Sequence, residues 1–135
     1  MKGWSLKNPK ISGLYAITPE LENTWNLLDK TRQALEGGAK LIQYRNKSAN
    51  RILLREQARL LLQLCREYEI PLIINDYLDL AMEIDADGLH VGQHDAAILE
   101  ARDQLGCNKI IGASCYNNLD LAIRAEKEGA DYVAF

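Results

Sequence analysis

Ala39-Lys40-Leu41-Ile42-Gln43-Tyr44-Arg45-Asn46-Lys47 is an apolar run that ends in polar residues at alternate positions, directly after the helix-stopping pair Gly37-Gly38. In an extended backbone, residues i, i+2 and i+4 share a face, so Gln43, Arg45 and Lys47 point the same way where the strand gives way to its loop. An amide, a guanidinium and an ammonium converging there look like a ligand site, the plainer reading being a solvated loop: Arg offers a planar fork matched to phosphate oxygens, and Lys a mobile point charge beside it. The stretch therefore implies a strand that is buried along its length and functional at its end.

Working outward, the same pattern recurs. Residues 1–12 read as an irregular lead-in, and Gly13 to Thr18 as a first strand closed by Pro19. Leu27, Leu28, Thr31, Ala34 and Leu35 then recur at helical spacing, with Asn23 as N-cap. After the quoted strand, Ser48 or Asn50 opens a helix to about Tyr68, its buried stripe marked by Leu54, Ala58, Leu61, Leu62 and Cys65. Leu72–Asp76, Gly88–Gly92, Lys109–Ser114 and Asp131–Phe135 read as further strands. Helical stretches lie between them, at Leu78–Ile84, Ala96–Leu105 and Leu119–Glu128. One helix-to-strand turn repeats at Ala39, Ala86 and Ala130, at spacings of 47 and 44 residues, the length of two βα units.

Strict alternation of helices with short apolar strands means a parallel sheet covered by helices. A doubly wound sheet would show a Gly-rich phosphate loop after its first strand, and Leu14-Tyr-Ala-Ile-Thr-Pro-Glu20 has none. A (β/α)8 barrel of the TIM type instead spreads its polar groups over many strand ends. Thr18, Gln43 to Lys47, Asn75-Asp76, Gln93 to Asp95 and Ser114-Cys115 all fall at such ends. The expected fold is an incomplete α/β TIM barrel, a single domain over 1–135 with about six of eight βα units.

Composition narrows the function. A net charge of −3 over 135 residues gives no electrostatic reason for a nucleic-acid or anionic-membrane partner. Cys65, Cys107 and Cys115 have neither an even count nor metal-ligand spacing, which points to reduced thiols in a cytoplasmic protein. No apolar run approaches the roughly 20 residues of a membrane span. Trp4 and Trp25 read as packing residues or N-terminal cover, and His90, within its strand, as a satisfied core or interface residue. Asn75-Asp76 and Asp95 also have a plainer reading, as caps of the helices that follow them.

Taken together, the strand ends spell QxRxK, ND, GQxD and a Ser, and the chain resembles the thiamine phosphate synthase family. The motifs GLYAIT, LIQYRNK, LIINDYLDLA, ADGLHVGQHD, IIGASCYN and EGADYVAF carry the resemblance along nearly the whole length. It implies a transferase that joins an aminopyrimidine methyl diphosphate to a thiazole phosphate, releasing pyrophosphate and forming thiamine phosphate. The resemblance implies a substrate site made of Gln43, Tyr44, Arg45, Asn46, Lys47, Asn75 and Ser114. Arg45 and Lys47 would be catalytic through the diphosphate oxygens, and Asp76 and Asp95 would hold Mg2+. His94, in the same loop as Asp95, is a further candidate contact. Tyr77 departs from the family, which often carries Arg after the ND pair.

The family continues through two more βα units, which bear the grip on the thiazole phosphate. The expectation is thus a partial form that carries the diphosphate half of the site, is poorly active alone, and has exposed strand edges suited to a homo-oligomer. Two alternatives stand beside the synthase: a thiazole tautomerase-like relative, which needs an acid or base near the fifth strand end, and a non-catalytic ligand-binding barrel fragment.

Overall fold

The computed structural model describes residues 11–92 and 97–135. Six strands, β1 (Tyr15–Ile17), β2 (Leu41–Tyr44), β3 (Leu72–Asn75), β4 (Gly88–Val91), β5 (Ile110–Ser114) and β6 (Tyr132–Ala134), form one sheet in chain order. Every neighbouring pair is parallel. Five helices connect them: α1 (Thr24–Glu36), α2 (Arg51–Glu67), α3 (Leu78–Ile84), α4 (Ala97–Leu105) and α5 (Leu119–Glu128). This is the TIM-type βα order expected from the sequence, six units long.

Local chemistry sets the helix boundaries. The carboxamides of Asn23, Asn50 and Asn118 accept the backbone N–H groups of Asn26, Leu53 and Leu121, each three residues on, so the same N-cap opens α1, α2 and α5. Asn50, not Ser48, is the cap of α2. The repeat at Ala39, Ala86 and Ala130 has a physical cause: each N–H bonds the carbonyl five residues back, at 3.0 Å. In each case the preceding residue, Gly38, Asp85 or Gly129, has positive φ. This is a Schellman stop that turns the chain straight into the next strand. Ile70 after Glu69 makes the same bond to Cys65, an instance the alanine pattern could not reveal.

The sheet has two packed faces. Outward-facing Ile42, Tyr44, Leu72, Ile74, Leu89, Val91, Ile111 and Ala113 pack under the helices with Leu27, Leu54, Ala58, Leu61 and Leu80 in the main core. The inward face carries a smaller cluster of Leu41, Ile73 and Ile110, joined by Ile11, Tyr15 and Tyr132. Two expectations need correction. Trp25 is 74% exposed and not packed in the core, because it lies two residues, roughly 200°, around α1 from buried Leu27, and Trp4 lies outside the described residues. On α2, Leu62 is only partly buried, while Leu64 and the polar Gln57 are fully enclosed.

Candidate active site

Because all six strands are parallel, their C-terminal ends share one rim, and alternation decides which side chains reach the inward face. On β2, Leu41 and Gln43 face inward with Tyr15, while Ile42 and Tyr44 face the helices. The expected contact run is therefore split. Tyr44, 2% exposed, donates its hydroxyl to Gln57 Oε1 at 2.6 Å, under α2. Asn46, 4% exposed, donates to the same oxygen at 3.3 Å and accepts the N–H groups of Ser48 and Ala49. Tyr44 and Asn46, expected at the substrate site, are here bonded into the turn that enters α2. Gln57 completes it, donating to the Leu21 carbonyl at 2.8 Å and so tying the loop after β1 to the loop after β2.

Gln43, 3% exposed, is bonded to Tyr15 on the inward face, whereas Arg45 and Lys47 reach the solvent-exposed rim. Glu20, in the loop after β1, organises it: its carboxylate accepts the Lys47 N–H at 2.9 Å, the Ser48 hydroxyl at 3.0 Å and the Arg45 guanidinium at 3.3 Å. The Lys47 N–H, then the Ser48 hydroxyl, then the two cations hold the Glu20 carboxyl below its ordinary range. Thr18 Oγ1 accepts the Arg45 N–H at 3.1 Å, and so fixes the strand end itself. The Lys47 ammonium is ion-paired with Asp76 and lies 5.9 Å from the Tyr77 ring centre, so Tyr77 meets the lysine through its π face. Both charged groups of the Lys47–Asp76 pair are near 40% exposed. Solvent, and any ligand arriving from it, reaches them.

Asp76 sits at φ 67°, in the left-handed region that short polar side chains tolerate. Its N–H bonds the His90 carbonyl at 2.8 Å, anchoring the loop after β3 to β4. Neither Asn75 nor Asp76 caps α3, whose N-cap position is Tyr77 with no side-chain bond. The plainer capping reading of this pair is thereby removed. A side chain at Gly92 would lie 3.9 Å from both Asp76 Oδ1 and the Tyr116 hydroxyl, so the start of the loop after β4 runs beside Asp76. Asp95 and His94 lie outside the described residues.

Deeper along the inward face, a hydrogen-bonded series joins Gln43 to Ser114. Gln43 Nε2 donates to the Tyr15 hydroxyl at 3.0 Å, and the hydroxyls of Tyr15 and Tyr132 are 2.5 Å apart. Tyr132 meets His90 Nδ1 at 2.8 Å, and His90 Nε2 meets Ser114 Oγ at 2.8 Å. Burial raises both tyrosine pKa values, so both hydroxyls keep their protons, and burial lowers that of His90. His90 is satisfied within its strand, as expected, and both of its ring nitrogens are engaged. Asn75, 8% exposed, stands on β3 in register with His90. Burial pushes the Cys65 thiol up to about 12 and raises that of Cys115, so neither is an activated nucleophile.

Sequence reasoning missed Glu20, Gln57, Tyr15 and Tyr132. Apart from position, nothing distinguishes Glu20 from other loop acids, and the tyrosines read as ordinary strand formers. A cleft of about 420 Å³ near the rim is lined by Glu20, Leu21, Asn46, Ser48, Asn50 and Leu53. Its lining includes none of Gln43, Arg45, Lys47 or Asp76 and meets the rim through Glu20, Asn46 and Ser48.

A parallel βα sheet of TIM type, with paired basic and acidic side chains gathered where its strands end, defines a protein of the barrel class. Solved structures with little sequence likeness share that fold: a mandelate oxidase variant superposes with a TM-score of 0.71 at 14% identity. Closer likeness fixes the family. Residues 14–135 match the thiamine monophosphate synthase model, and the chain belongs to that family.

The thiamine-phosphate synthase of Nitrosospira multiformis is 58% identical over 126 residues, which is 93% of this chain and 54% of that protein. The Nitrosomonas eutropha protein of the same name is 57% identical, over 93% of this chain and 59% of its own length. A solved thiamine phosphate pyrophosphorylase from Pyrococcus furiosus superposes with a TM-score of 0.79 at 41% identity, covering 96% of this chain and 61% of that one. The chain thus spans a little over half the length of these relatives.

Proposed function

We propose that this chain provides the diphosphate-gripping side of a thiamine phosphate synthase, in which an aminopyrimidine methyl diphosphate reacts with a thiazole phosphate. The carbon–oxygen bond to the diphosphate breaks and pyrophosphate departs with the electron pair. The thiazole nitrogen then forms a carbon–nitrogen bond to the same methylene, giving thiamine phosphate. Such a reaction demands stabilisation of charge on the leaving group more than a proton donor or covalent nucleophile.

The convergence of Arg45, Lys47 and Asp76 on one solvent-reached rim, in a chain of this family, carries the reading. Arg45 and Lys47 are held by Glu20 and Asp76, and exchanging those carboxylates for diphosphate oxygens would leave each cation paired. Gln43 and Asn75 would take the pyrimidine side, and Ser114 would add a hydrogen bond from β5.

Asp76 is a donor of the kind that Mg2+ takes. Among the described residues no three His, Cys, Asp or Glu side chains converge as a cage, and Asp76 offers a half-exposed hard oxygen donor. Mg2+ takes one or two carboxylates and completes its shell with phosphate and water, so Asp76 with Asp95 would hold it. When bound, it would neutralise charge on the departing pyrophosphate. Cytoplasmic location and small-molecule substrates accord with such biosynthetic chemistry, and no helix among the described residues is long and apolar enough to cross a membrane.

Titration calorimetry with pyrophosphate tests the grip. Arg45→Ala is expected to weaken binding by about 1.5–3 kcal/mol, the worth of a charge-assisted bond. An unchanged affinity would remove Arg45 from the site.

A further inference from the structure

We infer that Gln43, Tyr15, Tyr132, His90 and Ser114 form a one-way hydrogen-bond chain that holds His90 as its Nε2–H tautomer and leaves the Ser114 hydroxyl as a donor toward the ligand. Direction follows from counting protons. The Gln43 amide N–H can only donate, so the Tyr15 oxygen, 3.0 Å away, accepts. Tyr15 has one O–H of its own, which donates a hydrogen bond to the Tyr132 oxygen at 2.5 Å. Tyr132, now an acceptor on that side, donates its single O–H to the lone pair of His90 Nδ1 at 2.8 Å.

Nδ1 therefore presents a lone pair, the ring proton sits on Nε2, and Nε2 donates to Ser114 Oγ at 2.8 Å. The serine hydroxyl, already an acceptor, keeps its own proton for a ligand acceptor. At the other end, the Gln43 amide that donates to Tyr15 turns its carbonyl oxygen away as an acceptor. An imidazolium at position 90 would instead direct an N–H at Tyr132 Oη, which already accepts from Tyr15, and strand the Tyr132 proton.

The chain runs through side chains of β2, β1, β6, β4 and β5, so it sets the polarity of Gln43 and Ser114 from different parts of the sheet. Tyr15, Tyr132 and His90 are positioning residues: they act on a ligand through Gln43 and Ser114. That those two groups face substrate rests on the function proposed above; the direction of the chain does not.

The test is a long-range 1H–15N correlation spectrum of the protein labelled with 15N-histidine. The sequence has two histidines, and His94→Asn leaves only the imidazole of interest. A single Nε2–H tautomer is expected. Gln43→Glu, studied near about pH 8 so that the carboxylate is ionised and can only accept, reverses the chain and switches His90 to the Nδ1–H form. Position 43 is on β2, with β3 between it and His90 on β4, so a merely structural role would not move this signal. Adding Tyr15→Phe cuts the link, and Gln43→Glu then no longer alters the tautomer.

Tyr132→Phe removes the donor to Nδ1 and is expected to give mixed tautomers, an independent check should Gln43→Glu fail to fold. An Nδ1–H or mixed spectrum in the otherwise native protein, or a tautomer indifferent to Gln43→Glu in a folded variant, overturns the chain. Loss of pyrophosphate binding with a pure Nε2–H signal would count against the proposed function alone.

Discussion

The hydroxyls of Tyr15 and Tyr132 lie 2.5 Å apart although their strands, β1 and β6, stand at opposite ends of a six-stranded sheet. Laid flat, five strand spacings would separate those strands by roughly 24 Å, beyond the reach of two tyrosine side chains. The contact therefore requires the sheet to curl, and its edge-to-face geometry, with ring centres 5.5 Å apart, shows the rings packed inside the curve. The same two residues link the rim groups of β2 to those of β4 and β5, so curvature and site geometry share one interaction.

Tyr132→Phe keeps the ring but leaves the Tyr15 hydroxyl and His90 Nδ1 each short of a partner. Urea unfolding is expected to show a loss of about 1–3 kcal/mol, the cost of part-buried polar groups left unpaired. A variant as stable as the parent would mean the contact does not hold the curl.

Gly112 is the space into which Tyr132 fits. A Cβ at position 112 would overlap the Tyr132 ring and hydroxyl, so glycine here serves close approach and not a turn. Gly112→Ala is expected to cost about 1–3 kcal/mol as overpacking and to displace the Tyr132 hydroxyl from His90, visible as altered histidine NMR signals. Unaltered signals would show that the ring has room to spare.

Much of this architecture was legible in the sequence because it rests on local rules. Leu119–Glu128 is a helix with the residues expected, Asn23 caps α1, and the repeat at Ala39, Ala86 and Ala130 is one Schellman turn used three times. Period-two alternation accounts for Gln43 facing inward with Leu41 while Ile42 and Tyr44 face the helices. The rest depended on partners distant in sequence. Tyr44 and Asn46 sit inside the motif, yet Gln57, one helix turn beyond the cap region of α2, claims both. Glu20 gains its role only when β1 and β2 are side by side, and Tyr15 finds Tyr132 across 117 residues. Periodicity carries no information about such pairs.

His90 gives stability a pH dependence of definite sign. Burial lowers its pKa below the ordinary 6.5, so the unfolded chain takes up a proton at pH values where the folded chain does not. Its contribution is complete above about 6.5 and is lost as the pH falls from there through the lower folded value. Glu20, Glu83 and Asp85, also held low, add their losses only further down, below about 4.5. Melting temperature measured between about pH 8 and 5 is expected to fall on acidification, and less steeply in His90→Gln. Equal slopes for the two proteins would show that His90 is not buried in its neutral form.

The diphosphate grip is tested most directly by calorimetric titration of pyrophosphate with and without Mg2+, in the parent protein and in Asp76→Ala. Asp76 is ion-paired with Lys47 on the rim that also carries Arg45. Binding is expected to be tight only with Mg2+ and to lose that metal dependence in Asp76→Ala. Pyrophosphate binding that is indifferent to Mg2+ in the parent protein, or unchanged by Asp76→Ala, would contradict the assignment of this rim to a metal-bound leaving group.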